Sequence, residues 1–408
     1  MNFKKPAYPI LKNAYKLLAK VIPQKKNRIG FISYPDATDN SWHLYNYMHS
    51  HLKDHKFIWF CSDLEQTQKK ITNKKNTKII RKNTIRGLFN FITCNTVFFT
   101  HGSYFFTTKS NGPCLVNLWH GMPLKAISYL DNKSEIEVPY CDYSISTSEL
   151  YSTVISQAFG ITRSQVLNCG LPRNDALISP GIGRNEALNK LGLDISTTFI
   201  FWLPTYRTSI IGDIRSDSTT ENFLADLSNE GLARIDEAAR KAGTHIIIKL
   251  HPMDSLNNSE SIPELANIHI FKQSEWVNLN LDLYEALAHS SALITDMSSV
   301  MIDYITTEKP IGIFTEATNN YTRSIISNLD INELHSAIHT LNSEEDIINF
   351  TSHPPQKNPN PDLLKKYNSH AFPEYKPACQ IILEKFLPAT SNHKINTNLA
   401  NSQTKKHV

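Results

Sequence analysis

The chain has 408 residues, 40% hydrophobic and 20% charged, which suggests about two domains, each able to bury a core. Its net charge of +4 sits at the ends: residues 1–28 carry eight Lys or Arg and no acid, residues 389–408 carry three Lys and no acid, and residues 29–388 are left at −7. A mildly acidic body argues against a nucleic-acid partner, and cysteines at 61, 94, 114, 141, 169 and 379 with no C-x-x-C pair read as reduced, buried thiols rather than a zinc site.

Residues 7–22 read as an amphipathic helix, with Leu11, Ala14, Tyr15, Leu18 and Ile22 on one face, Lys12, Lys16 and Lys20 beside it, and Pro23 ending it. Such a helix lies either on an anionic membrane surface or against its own domain. The basic start is not followed by a long apolar run, so no signal peptide is expected, and no 18-residue apolar stretch predicts a transmembrane helix. Strand-like and helix-like stretches then alternate. Residues 28–34, 57–61, 96–100, 115–119, 143–146 and 165–169 read as strands of a first half. A Pro/Gly-containing linker at 179–183 and a helix at 184–191 open a second half, with strands at 199–203, 245–250, 268–271, 292–295 and 310–314. Residues 361–387 read as helical at both ends, and 389–408 as a disordered polar tail. The pattern predicts an α/β protein: a basic helix at 1–27, a Rossmann-like domain at 28–180, a second at 181–388, and a cleft between them. Ligands of such sheets bind beyond the carboxyl ends of strands.

The polar clusters fall at those ends. Trp119-His120-Gly121 closes one strand, and Pro123 and Lys125 follow at a helix start. A His on such a turn is either a structural turn residue or a general base, since its pKa lies near neutrality. Gly121 would let a substrate approach the backbone. His251-Pro252 ends the run THIIIKL, with Lys249 one alternation behind, and both cations could meet phosphate oxygens. Thr295-Asp296-Met297-Ser298-Ser299 leads into VMIDYI and reads as a helix cap or a phosphate cradle. It lacks the Gly-Lys-Ser/Thr ending of a P-loop. Thr205 and Arg207 follow another strand, where Arg207 could pair bidentately with phosphate. Arg173, Asn174 and Asp175 form a turn before the linker.

Together, and in this order, these segments resemble the CDP-glycerol glycerophosphotransferases, the teichoic-acid primases and polymerases. The resemblance rests on WHGMPLK at 119–125, GLPRND at 170–175, PTYR at 204–207, His251-Pro252, TDMSS at 295–299 and the pair Asp39-Asn40, and covers residues 28–385. Met122, Tyr206 and Met297 depart from the family's usual Thr, Trp and Tyr. The resemblance implies a GT-B-like arrangement. The acceptor, a glycopolymer or its lipid-linked precursor, would lie toward the first domain and CDP-glycerol in the second. It implies a peripheral enzyme at the cytoplasmic face of the membrane that transfers glycerol phosphate and releases CMP. His120 would take the acceptor proton; His251, Arg207, Ser298 and Ser299 would hold the pyrophosphate; Asp296 would orient one of these groups or a donor hydroxyl; Lys125 would meet acceptor phosphate or departing charge. No cofactor is implied, and a metal ion need not be invoked with so many cationic and N–H donors. A CDP-ribitol donor, a nucleotide-sugar glycosyltransferase and a non-catalytic membrane adaptor are the rival readings.

Overall fold

In the computed structural model, which describes residues 8–72, 75–131, 138–205, 229–251, 254, 264–314, 325–370 and 375–387, the strands form two parallel sheets. Arg207, Pro252 and the tail at 389–408 lie outside the described residues. The first sheet contains β1 (Lys25–Ile32), β2 (Lys56–Cys61), β3 (Thr77–Arg81), β4 (Cys94–Phe99), β5 (Cys114–Asn117), β6 (Tyr143–Ser146) and β7 (Val166–Asn168), in the order β3-β2-β1-β4-β5-β6-β7. The second contains β8 (Thr198–Leu203), β9 (Thr244–Lys249), β10 (Ile268–Phe271), β11 (Leu293–Thr295), β12 (Ile311–Phe314) and β13 (His339–Leu341), in the order β10-β9-β8-β11-β12-β13. Both repeat one plan: the order reverses beside the first strand, between β1 and β4 in one sheet and between β8 and β11 in the other. Those reversals open the crevices where doubly wound sheets bind ligands.

The central strands are apolar on both faces, as parallel strands under helices must be. In the first sheet Phe31 stacks on Trp59 and Phe98, with ring centroids 5.4 and 5.7 Å apart. On the opposite face, Gly30 leaves room for Phe60 and Val97, since a Cβ there would lie 2.9 Å from the Phe60 ring and 3.0 Å from the Val97 side chain. The sequence pattern does not reveal β3 or β13. TKIIR buries only Ile80 and so lacks a strand period, and HTL is only three residues long.

The first helix spans Tyr8–Val21. It packs through Tyr15 and Ala19, with the Tyr15 ring 6.5 Å from Phe91 and 5.8 Å from Phe106. Its inward face is therefore turned from the expected one: Leu18 is exposed, together with Ile10, Leu17 and Val21, which are 72%, 65% and 73% exposed. At the other end, helix Ala378–Phe386 returns to the first sheet. Phe386 meets Phe98 and Tyr143 at 6.0 and 5.2 Å, and Asp175 caps this helix by accepting from the N–H groups of Ala378 (2.8 Å) and Cys379 (3.0 Å).

Candidate active site

The turn after β5 has an unusual backbone. Trp119 has φ 50° and Gly121 φ 132°, and a left-handed Trp costs about 1–3 kcal/mol and persists only where its surroundings impose it. Here they do. The Trp119 N–H donates to Asn117 Oδ1 at 3.0 Å. Asn40, fully buried, donates from Nδ2 to the carbonyls of Leu118 (3.3 Å) and Trp119 (2.9 Å). The turn thereby presents the half-buried His120 imidazole at the cleft, with Trp119 4.1 Å from it. His101, which follows β4, lies parallel to His120 at 4.2 Å and was not singled out from the sequence.

Gly121 is one of the points where the two domains touch. A Cβ at this position would fall 2.4 Å from Ser299 Oγ and 2.7 Å from Arg173 Nη2. No other residue type leaves room for Ser299, brought by the second sheet, to lie against the histidine turn of the first. Below the contact sits the buried Arg173 guanidinium. Nη1 meets Asp39 Oδ1 at 2.8 Å, Nη2 meets Asp303 Oδ2 at 2.5 Å, and the Tyr284 ring lies 4.8 Å away. The Arg173 N–H donates to Asn40 Oδ1 at 3.1 Å. Burial alone would depress this arginine, but Asp303, Tyr284 and Asp39 outweigh it and raise its pKa. Asp303 and Tyr284 escaped the sequence reading. The available signal was one acid inside the apolar run VMIDYI.

At the second sheet's reversal point, Asp296 ties β8 to β11. Its carboxylate accepts from the Thr205 N–H (2.9 Å) and hydroxyl (2.6 Å), and its carbonyl accepts from the Ser298 N–H at 2.7 Å. Thr295 is fully buried and donates to the Leu203 carbonyl at 2.7 Å. Ser298 and Ser299 are half-buried at the start of helix Val300–Tyr304. His251 follows β9 and is exposed. Lys249 is buried, and its Nζ donates to Gln273 Oε1 (2.9 Å) and the Leu250 carbonyl (3.0 Å); burial pulls its pKa down to about 8.

Three expected site residues sit deeper. Lys125 is 7% exposed and pairs with Ile325 in an antiparallel bridge between the domains. Asn174 is buried, and among the described residues neither polar atom of its side chain is hydrogen-bonded. Asp175 accepts from the Tyr375 hydroxyl in addition to its capping contacts. The structure thus brings Asp39, Asn40, Trp119, His120, Gly121, Arg173 and Ser299 to one point. It places Thr205, Asp296 and Ser298 beside them, and Lys249 and Asp175 in packed surroundings.

Residues 14–376 match the model of a protein family described as CDP-glycerol:poly(glycerophosphate) glycerophosphotransferase. The chain belongs to this family. Among curated members of the glycerophosphotransferase family it is 22% identical to a teichoic acid poly(glycerol phosphate) polymerase of Staphylococcus epidermidis, over 77% of this chain but only 44% of that one. It is 24% identical to a teichoic acid glycerol-phosphate transferase of Staphylococcus aureus, over 72% of this chain and 75% of that one. Its fold is that of the wall teichoic acid polymerase TagF, with a TM-score of 0.70 at 16% identity over 93% of each chain. The expectation of two Rossmann-like domains in a GT-B-like arrangement holds.

Proposed function

We propose that the chain transfers glycerol phosphate from CDP-glycerol to a hydroxyl of a teichoic-acid- or capsule-type glycopolymer, or of its lipid-linked precursor, and releases CMP. The observation that carries this reading is the contact at Gly121, which sets the turn carrying His120 on one domain against the Ser299 hydroxyl on the other. Family membership supports the donor, as does the likeness to TagF, a histidine-to-asparagine variant of which has been soaked with CDPG. In the reaction the acceptor oxygen forms a bond to the donor's β-phosphorus, and the bond to the bridging oxygen breaks. The electron pair leaves with CMP, and the acceptor proton passes to His120. Transfers of this kind depend mainly on positioning and on neutralising charge. Ser298 and Ser299 would hold pyrophosphate oxygens, joined by His251 and Arg207. Asp296 fixes Thr205 and the start of the serine segment.

The deciding measurement is CMP release from CDP-glycerol with and without a polyol-phosphate acceptor. Acceptor-dependent CMP is expected, and His120→Ala should lower its rate by ~10²-fold or more, the usual scale of general acid–base catalysis. Near-normal turnover in that variant would remove the base assignment. Turnover with CDP-ribitol or a nucleotide sugar alone would keep the fold and replace the donor.

The same reading places the protein on the cytoplasmic face of the membrane. The apolar stripe Ile10, Leu17, Leu18 and Val21 points outward beside Lys16 and Lys20, the arrangement suited to an anionic bilayer. Sedimentation with anionic but not neutral vesicles, lost on Leu17→Glu, is expected. Equal binding to both vesicle types would exclude a lysine contribution.

A further inference from the structure

We infer that Arg173 is a positioning clamp that fixes the His120 turn against Ser299, and that Asp303 and Tyr284 act in the reaction through it. This inference rests on the transfer reading above. Both terminal nitrogens of Arg173 are engaged by carboxylates of the protein, Asp39 from the first domain and Asp303 from the second. The Tyr284 hydroxyl donates to the same Asp303 oxygen at 2.6 Å. The guanidinium is therefore held by two anions and covered by an aromatic face, so its position is fixed from both domains at once.

What it fixes follows from its other contacts. Nη2 lies directly beneath Gly121. The Arg173 main chain holds Asn40, and Asn40 holds the carbonyls of Leu118 and Trp119. Asp303 sits one helical turn after Ser299, and its N–H donates to the Ser299 carbonyl at 3.3 Å. One side chain thus joins the backbone carrying the proposed base to the backbone carrying the proposed phosphate ligands. A Lys could not do this, because a point charge lacks the fork that reaches two carboxylates in fixed directions. Stability alone does not account for the arrangement either. Buried ion pairs of this kind are often no more stabilising than apolar side chains of similar volume. Geometry is what the pair supplies, and a misplacement of about 1 Å between reacting groups can cost on the order of 10²-fold in rate.

Asp303→Asn and the milder Tyr284→Phe test this, together with Arg173→Met/Asp303→Leu, which replaces the ion pair by apolar bulk. The clamp predicts that Asp303→Asn lowers kcat about tenfold or more, with KM for CDP-glycerol changed by no more than about twofold, since the donor contacts stay intact. Tyr284→Phe should show the same split at smaller size. The double variant should regain the melting temperature lost in Asp303→Asn without regaining kcat. If kcat returns together with stability, or if KM alone moves, the clamp is overturned. Should the wild-type protein release no CMP from CDP-glycerol, the donor reading fails and the clamp is judged by distance. Spin labels on Lys53→Cys and Lys241→Cys, both exposed and one on each domain, should give one narrow separation in an otherwise unchanged background and a broadened one with Asp303→Asn. An unchanged distribution would overturn it.

Discussion

The two domains share one strand order but hold their functional groups by different means. In the first, the turn that presents His120 is strained at Trp119, whose φ is positive, the facing loop after β1 has positive φ at Ala37 and Asp39, and Asn40 pins the turn by two hydrogen bonds to its carbonyls. In the second, none of the described residues just beyond the carboxyl ends of β8, β9 and β11 has positive φ. There Asp296 and Thr205 join two ordinary strand ends by carboxylate hydrogen bonds. The difference follows from the tasks proposed for each. A base must meet one proton in one direction, and left-handed backbone aims a side chain where a regular strand end would not. Anion-binding hydroxyls tolerate more latitude, because a phosphate offers several acceptor oxygens.

The sharpest way to break this contrast is Gly121→Ala. The added Cβ would meet Ser299 Oγ at 2.4 Å in a backbone conformation that alanine disfavours, so CMP release should fall ~10²-fold through misplacement of the turn. Turnover within twofold of wild type would mean that the strained geometry is dispensable. Next in size, Asp296→Asn puts an amide where two Thr205 donors point. A loss of about 1.5–3 kcal/mol, the range for hydrogen bonds to a charged group, should appear in chemical denaturation, with turnover down about tenfold. A stability loss with normal turnover would make Asp296 purely structural.

The smallest effect concerns the interface itself. His43 lies 3.4 Å from Asp282 across the domains. Burial would depress its pKa, but Asp282 outweighs burial and raises it, while the Asp282 carboxyl is held down at about 2. A raised histidine contributes stability that is fully present below its unfolded pKa of about 6.5 and is lost as pH rises through the folded value. His43→Gln should therefore cost on the order of 1 kcal/mol at pH 5.5 and progressively less toward pH 9. A pH-independent difference in melting temperature would show that packing, not the ion pair, joins the domains there.

Much of this was legible in the sequence, for a physical reason: in parallel α/β sheets, polar residues just beyond an apolar run sit at the cleft. That rule picks out the strand-end positions of His120, Thr205, His251 and Ser298 without coordinates. It fails where partners are distant in the chain. Nothing local in VMIDYI says that Asp303 answers Arg173, some 130 residues earlier. His101 ends a strand just as His120 does, yet only the alignment of β4 beside β5 stacks the two rings. The first helix was recognisable as amphipathic, but not which stripe faces inward, because Tyr15 takes its place from Phe91 and Phe106.

The helix Ala378–Phe386 carries a consequence for how the protein is made. Its Phe386 side chain covers Phe98 and Tyr143, and Asp175 waits for its first N–H groups. During synthesis the first sheet leaves the ribosome early, but the piece that seals it emerges about 200 residues later, after the whole second sheet. The first domain to be translated is thus the last to be completed, and a chain shortened before residue 378 would lose the covering of its amino-terminal half.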